Sequence, residues 1–174
     1  MSNVTQNEQL LKIDQTLMRS VIEGTQAGIS MTGAQPVAIG ASRFCSSPRE
    51  ISVLIGMVGA DNGTMTINLS ERAVLYLTSQ LLMEEQTELN EDSFDAICEI
   101  GNMIAGSTKE VLCGTEYQIE NISVPSLVLG AHYDVLYTRG ITSCSVEFEL
   151  EEIPVNFMGD RFFSTAISLM HRLA

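Results

Sequence analysis

A chain of 174 residues with 45% hydrophobic content is long and apolar enough for one domain with a real core, and residues 1–174 are read as that single domain. With 22 acidic against 9 basic residues, the formal net charge of −13 opposes nonspecific attraction to nucleic acid or anionic lipid and favours partners that offer local positive charge. The N-terminus MSNVTQNEQ lacks the basic start and apolar stretch of a secretory signal, and no apolar run is long enough to span a bilayer, so a cytoplasmic protein is expected.

From about Glu8 to Gly24, apolar side chains recur at Leu10, Ile13, Leu17 and Val21, the spacing of an amphipathic helix, which Gly24 and Gly28 are expected to end. Gln35 to Cys45 reads as a strand, and Ile51 to Gly59 as a second, rich in β-branched residues, before the turn sequence ADNG at 60–63. Beyond it Met65, Ile67 and Leu69 alternate with Thr64, Thr66 and Asn68, the period-two pattern of a strand with one wet face. Ser70 is placed to cap a helix whose buried face includes Val74, Leu77 and Leu81 and which ends near Glu84 and Glu85. Asn90, Glu91 and Asp92 then start a further helix with a cap and two charges suited to its positive end.

Past Gly114 strands return at Tyr117 to Val124, Leu127 to Leu129, Tyr133 to Thr138 and Ser143 to Glu151. In the last, Val146, Phe148 and Leu150 alternate with Ser145, Glu147, Glu149 and Glu151, giving one buried face and one acidic, solvated face. Asp160 is placed to cap a terminal helix containing Phe163, Ala166, Ile167 and Met170, with a strand as the alternative. The order suggests a faint internal duplication whose halves merge their strands. The expected fold is α+β, an antiparallel sheet covered by helices.

Several chemistries lack their residues. Cys45, Cys98, Cys113 and Cys144 form no CxxC pair and read as buried reduced thiols, and His132 and His171 have no ligand spacing, so no metal site is expected. GMVG at 56–59 and GADNG at 59–63 lack the context of a phosphate-binding loop. Ser107 and Thr108 have no His or Asp companion that marks a nucleophilic triad, and Pro125 punctuates a strand because it cannot donate to a central ladder.

The segment DAICEIGN at 95–102 is more informative. At roughly 100° per residue, Asp95, Asn102 and Gly106 fall within about 60° of Glu99, whereas Phe94, Ile97, Gly101 and Ile104 take the opposite side. A helix that buries those apolar groups presents a carboxylate and a carboxamide, one turn apart, to solvent or a partner. Gly106 extends the stripe without a side chain, at a helix-propensity cost of about 0.5–1 kcal/mol relative to Ala, and would let another backbone approach. For Gly101 and Gly106 close helix packing competes with partner access, and for Met103 and Ile104 core or interface packing is favoured. On its own such a stripe is an ordinary solvated helix face.

Its setting resembles a family, the CheC, CheX and FliY phosphatases of bacterial chemotaxis. Their signature is Asp or Ser, three residues, Glu, two residues, Asn, supplied here by Asp95, Glu99 and Asn102. EIGNMIAG at 99–106, NISVPSLVLG at 121–130 and ISVLIGMVGADNGTMTINLS at 51–70 resemble segments of the CheX type in the same order, so the resemblance covers roughly residues 30 to 130. The first helix offers only Arg19, Glu23 and Gln26 at the corresponding intervals. An intact second motif is therefore missing, as in the single-motif CheX type rather than the two-motif CheC type.

The resemblance implies a phosphatase acting on the aspartyl phosphate of a CheY-like receiver domain, with Mg²⁺ held by that receiver, no cofactor in this chain, and a homodimer joined through the sheet. It assigns catalytic roles to Glu99 and Asn102, with Asn102 placing the attacking water and Glu99 docking on a receiver lysine; a general-base role for Glu99 is the geometric alternative. Asp95, Met103 and Gly106 would contact the partner. A receiver-binding or flagellar module without catalysis, or a dimerisation scaffold, remains the competing class.

Overall fold

The structure is a computed structural model that describes residues 12–131, 133–134 and 140–170. Its elements in chain order are α1 (Gln15–Ile29), a 3₁₀ turn (Ser30–Thr32), β1 (Val37–Ser42), β2 (Ser46–Ser47), β3 (Ile51–Gly59) and β4 (Asn62–Leu69). There follow α2 (Glu71–Leu82), α3 (Glu91–Leu112), β5 (Ile119–Ile122), β6 (Ser126–Leu129), β7 (Tyr133–Asp134), β8 (Ile141–Glu149), a 3₁₀ segment (Val155–Arg161) and β9 (Phe162–Met170). The chain is α+β, with an antiparallel seven-stranded sheet in the order β1-β8-β9-β4-β3, where β5 and β6 both pair with the outer edge of β3. Pro125 sits between those two short strands, where its missing N–H interrupts the pairing.

The order of strands displays the duplication. One half runs α1, β1, β3, β4 and the other α3, β5/β6, β8, β9. Each half contributes a hairpin to the centre of the sheet, where β4 meets β9, and each lays its first strand on the outer edge of the other half's hairpin. α1 packs over β8 and β9, α3 over β3, β5 and β6, and the two helices pack against each other. Between helices and sheet lies one core, including Leu17, Val21, Val53, Ile55, Met65, Ile67, Ile100, Ile104, Val146 and Ile167, with Phe148 and Phe163 stacked 5.2 Å apart.

The β3–β4 hairpin forms as its alternation and ADNG turn predict, Ile51 pairing with Leu69 and Met57 with Gly63. Ser70 caps α2 by accepting from the Ala73 N–H at 3.2 Å. Four expectations need correction. α1 does not stop at its glycines but runs on to Ile29, because Gly24 and Gly28 are where α3 crosses: a Cβ on Gly24 would lie 2.7 Å from the Thr108 Cα, and one on Gly28 2.5 Å from the Ile104 Cα. Its start is set by Asp14, whose carboxylate accepts from the Leu17 N–H at 2.9 Å and from the Tyr117 hydroxyl at 3.0 Å. Residues 8–11 of the expected helix, 135–138 of an expected strand, and His132 and His171 lie outside the described residues.

The second correction is the C-terminal segment, which is strand β9 and not a helix. It lies between β4 and β8 with both faces buried from Phe163 to Leu169, so its sequence shows no alternation. Asp160 caps no helix there; its carboxylate pairs with Arg72 at 3.2 Å and its carbonyl accepts from Ser70. Third, the face expected to be wet is partly covered. Thr66 and Asn68 are buried, and the Asn68 carboxamide accepts from the Arg49 N–H at 3.0 Å while donating to the Arg49 carbonyl and, at 2.8 Å, to the Ser52 hydroxyl. On the same side Glu147 pairs with Arg49 and Glu149 with Arg161, so the acidic face of β8 is half-buried and ion-paired. Fourth, of the cysteines, all free, only Cys144 is buried; Cys45 and Cys98 are half-buried and Cys113 is exposed. Burial pushes the Cys144 thiol up to about 12.

Candidate functional site

α3 is held at its start by a capping box. The Asn90 side chain accepts from the Ser93 N–H at 2.9 Å, and the Ser93 hydroxyl accepts from the Asn90 N–H at 2.8 Å. Glu91 and Asp92 occupy the first turn and Lys109 the last, each favourable against the helix dipole. The buried face comprises Ala96, Ile97, Ile100, Gly101, Ile104, Ala105, Thr108 and Leu112. Gly101 brings the helix close over β3, since a Cβ there would meet Val53 Cγ1 at 2.8 Å, and Gly28 brings α1 against the next turn. Contacts from the sheet and from α1 therefore fix the rotation of α3 about its axis.

That rotation decides what faces outward. Asp95 and Glu99 are exposed, Asn102 and Gly106 partly so, and all four share the stripe that the spacing predicts. Among the described residues no hydrogen bond or ion pair engages the side chains of Asp95, Glu99 or Asn102, although the flanking helix is rigidly packed. Asp95 and Asn102 are seven residues apart, about 10 Å along the axis, so the stripe suits a broad partner surface. A cleft of about 830 Å³, lined by Glu50, Arg72, Tyr76, Glu85 and Asp160 among others, lies against α2 and includes none of these residues.

Met103 lies one turn beyond Glu99, about 40° from it around the helix, on the flank of the stripe opposite Asn102. It is half-buried, with part of its side chain packed on the core. Next to Asp95 the structure places Cys98, half-buried, whose thiol is pushed up by burial and then by the Asp95 charge. The spacing of three residues could have shown that neighbour; it adds no nucleophile suited to the site.

The matching positions on α1 are already engaged. Arg19 donates to Glu23 at 2.8 Å, and the Gln26 amide donates to the Pro36 carbonyl at 3.2 Å. Chemically, the α3 stripe offers one neutral group able both to accept and to donate, Asn102, one turn from a free anion, Glu99. Among the described residues no group of three or more His, Cys, Asp or Glu side chains could hold a metal ion, and no helix is long and apolar enough to cross a membrane.

The family described as "Chemotaxis phosphatase CheX" matches residues 51–149, which span the hairpin, the whole of α3 and the strands after it as far as β8. No curated protein matches the sequence. Solved structures share the fold at low identity. They include the chemotaxis protein CheX from Desulfovibrio desulfuricans (16% identity, 88% of this chain and 98% of that one, TM-score 0.71) and chemotaxis protein CheX from Vibrio vulnificus (21%, 89% and 96%, TM-score 0.67). A CheX–CheY–BeF₃–Mg²⁺ complex from Borrelia burgdorferi is similar over 91% of this chain and 99% of that one, with 17% identity and a TM-score of 0.69.

Proposed function

The chain belongs to the CheX family of chemotaxis phosphatases, and from that premise we propose that it accelerates hydrolysis of the aspartyl phosphate of a CheY-like receiver domain. The observation that carries this reading is the pair of unengaged side chains, Glu99 and Asn102, displayed on consecutive turns of a helix whose orientation is fixed from behind. The similarly folded CheX from Borrelia burgdorferi forms a complex with CheY, which supports the choice of partner.

Hydrolysis needs a water held in line with the breaking P–O bond, and the loose transition state asks mainly for positioning. Asn102 suits that task because its carboxamide can accept from the water and donate toward a phosphoryl oxygen without adding negative charge. Glu99 docks the helix on a cation of the receiver through a charge-assisted contact, and the exposed Asp95 adds to the contact at the preceding turn. A general-base role for Glu99 would place a second anion beside an already charged phosphate. Mg²⁺ and the phosphoryl group both belong to the receiver in this scheme, and this chain supplies no cofactor.

The same reading gives a homodimer joined through the sheet. β1 forms one outer edge with Val37 and Ile39 exposed on it, a surface able to accept another strand. A strict monomer at micromolar concentration, measured by light scattering, would remove that part. The activity is tested by phosphate release from a panel of receivers with Mg²⁺ and a small phosphodonor. Faster release with this protein, lost in Asn102→Ala while binding persists, supports the proposal. Binding of a cognate receiver with no change in its dephosphorylation rate would instead make the chain a receiver-binding module.

A further inference from the structure

Four glycines lie inside the α-helices α1 and α3, and three have an evident internal reason. Gly24 and Gly28 admit α3 against α1, and Gly101 admits the side chains of β3; a Cβ at any of them would come within 3.0 Å of a neighbouring atom. Gly106 has no such reason. A Cβ there would meet nothing within 4 Å, and its φ is negative, so neither packing nor backbone conformation calls for glycine. A residue with ordinary helical geometry and open space ahead of it would be better served by almost any side chain. It stands one turn beyond Asn102 on the outward stripe.

We infer that Gly106 is a clearance point for the receiver domain: its bare backbone lets the partner's main chain come close enough for Asn102 to reach the phosphoryl group. This rests on the receiver reading above and adds to it a determinant of fit, distinct from the groups that act on the water. Adding a Cβ holds the partner off the helix, and a larger side chain does so more. The loss of docking therefore follows side-chain volume, while the stability of this chain moves the other way for alanine.

The test is a binding isotherm with a CheY-like receiver loaded with beryllium fluoride and Mg²⁺, which reports docking without hydrolysis, alongside thermal melts. Gly106→Ala should raise Tm by about 2–4 °C and weaken binding about tenfold. Gly106→Leu should weaken it roughly a hundredfold. Glu23→Ala, on the exposed face of α1 and outside the proposed contact, should bind as the wild type does. Wild-type affinity in both Gly106 variants overturns this inference alone. Failure of the wild type itself to bind any receiver of the panel overturns the receiver reading and the clearance role with it.

Discussion

α1 and α3 occupy corresponding places in the two halves of the fold, each laid over a central hairpin and each touching the other at Gly24 and Gly28, yet their outward faces differ. On α1 the positions matching the motif are spent within the chain, Arg19 on Glu23 and Gln26 on the Pro36 carbonyl. On α3, Asp95, Glu99 and Asn102 have no such partner among the described residues. Duplication supplied two scaffolds, and one of them carries free groups. A site of this kind is identified by what a well-packed helix leaves unpaired, since the packing itself is shared.

The largest effect should come from Asn102. Asn102→Ala removes the group assigned to the water, and receiver dephosphorylation in its presence should slow by about a hundredfold or more, with the fold and the affinity for the beryllium fluoride form unchanged. Next is the junction both helices share. Gly28→Ala puts a methyl against the backbone of Ile104 and should cost about 3 kcal/mol in a urea unfolding curve. If it does not, the two helices are not locked together and the rotation of α3 has another cause.

Glu99→Ala should weaken docking roughly tenfold and slow turnover as well, consistent with a lost charge-assisted contact. Unchanged affinity and activity would remove the pairing role. Asp14→Ala deletes the cap of α1 and its bond to Tyr117, for about 1–2 kcal/mol of stability with no effect on catalysis. The smallest effect belongs to the face that is already self-satisfied. Glu23→Ala breaks a solvent-exposed ion pair on α1, and neither Tm nor phosphatase activity should move measurably.

Much of this contrast is legible in the sequence itself. The hairpin of β3 and β4, the caps at Ser70 and Asn90, and the stripe on α3 all rest on local rules of alternation, capping and helical angle, and each appears where those rules put it. What the sequence obscured depended on contacts made elsewhere in the chain. Gly24 and Gly28 read locally as helix ends and turn out to be the crossing point of two helices. β9 lost its alternation because neighbours bury both its faces, and Asn68 looked wet until the backbone of Arg49 folded over it. The candidate side chains of the site were readable for the converse reason: they face outward, where no later contact reassigns them. Gly106 stood between two readings, and only the empty space ahead of its backbone separates them.

The central claim is that α3 presents Asn102 to the phosphorylated receiver as the group that places water. Its most direct test is the single-turnover dephosphorylation rate of a cognate receiver, measured alone, with the wild-type chain and with Asn102→Ala at saturating concentrations. Marked acceleration by the wild type and a return to nearly the receiver's own rate with the variant are the predicted results. Equal acceleration by both would contradict the claim.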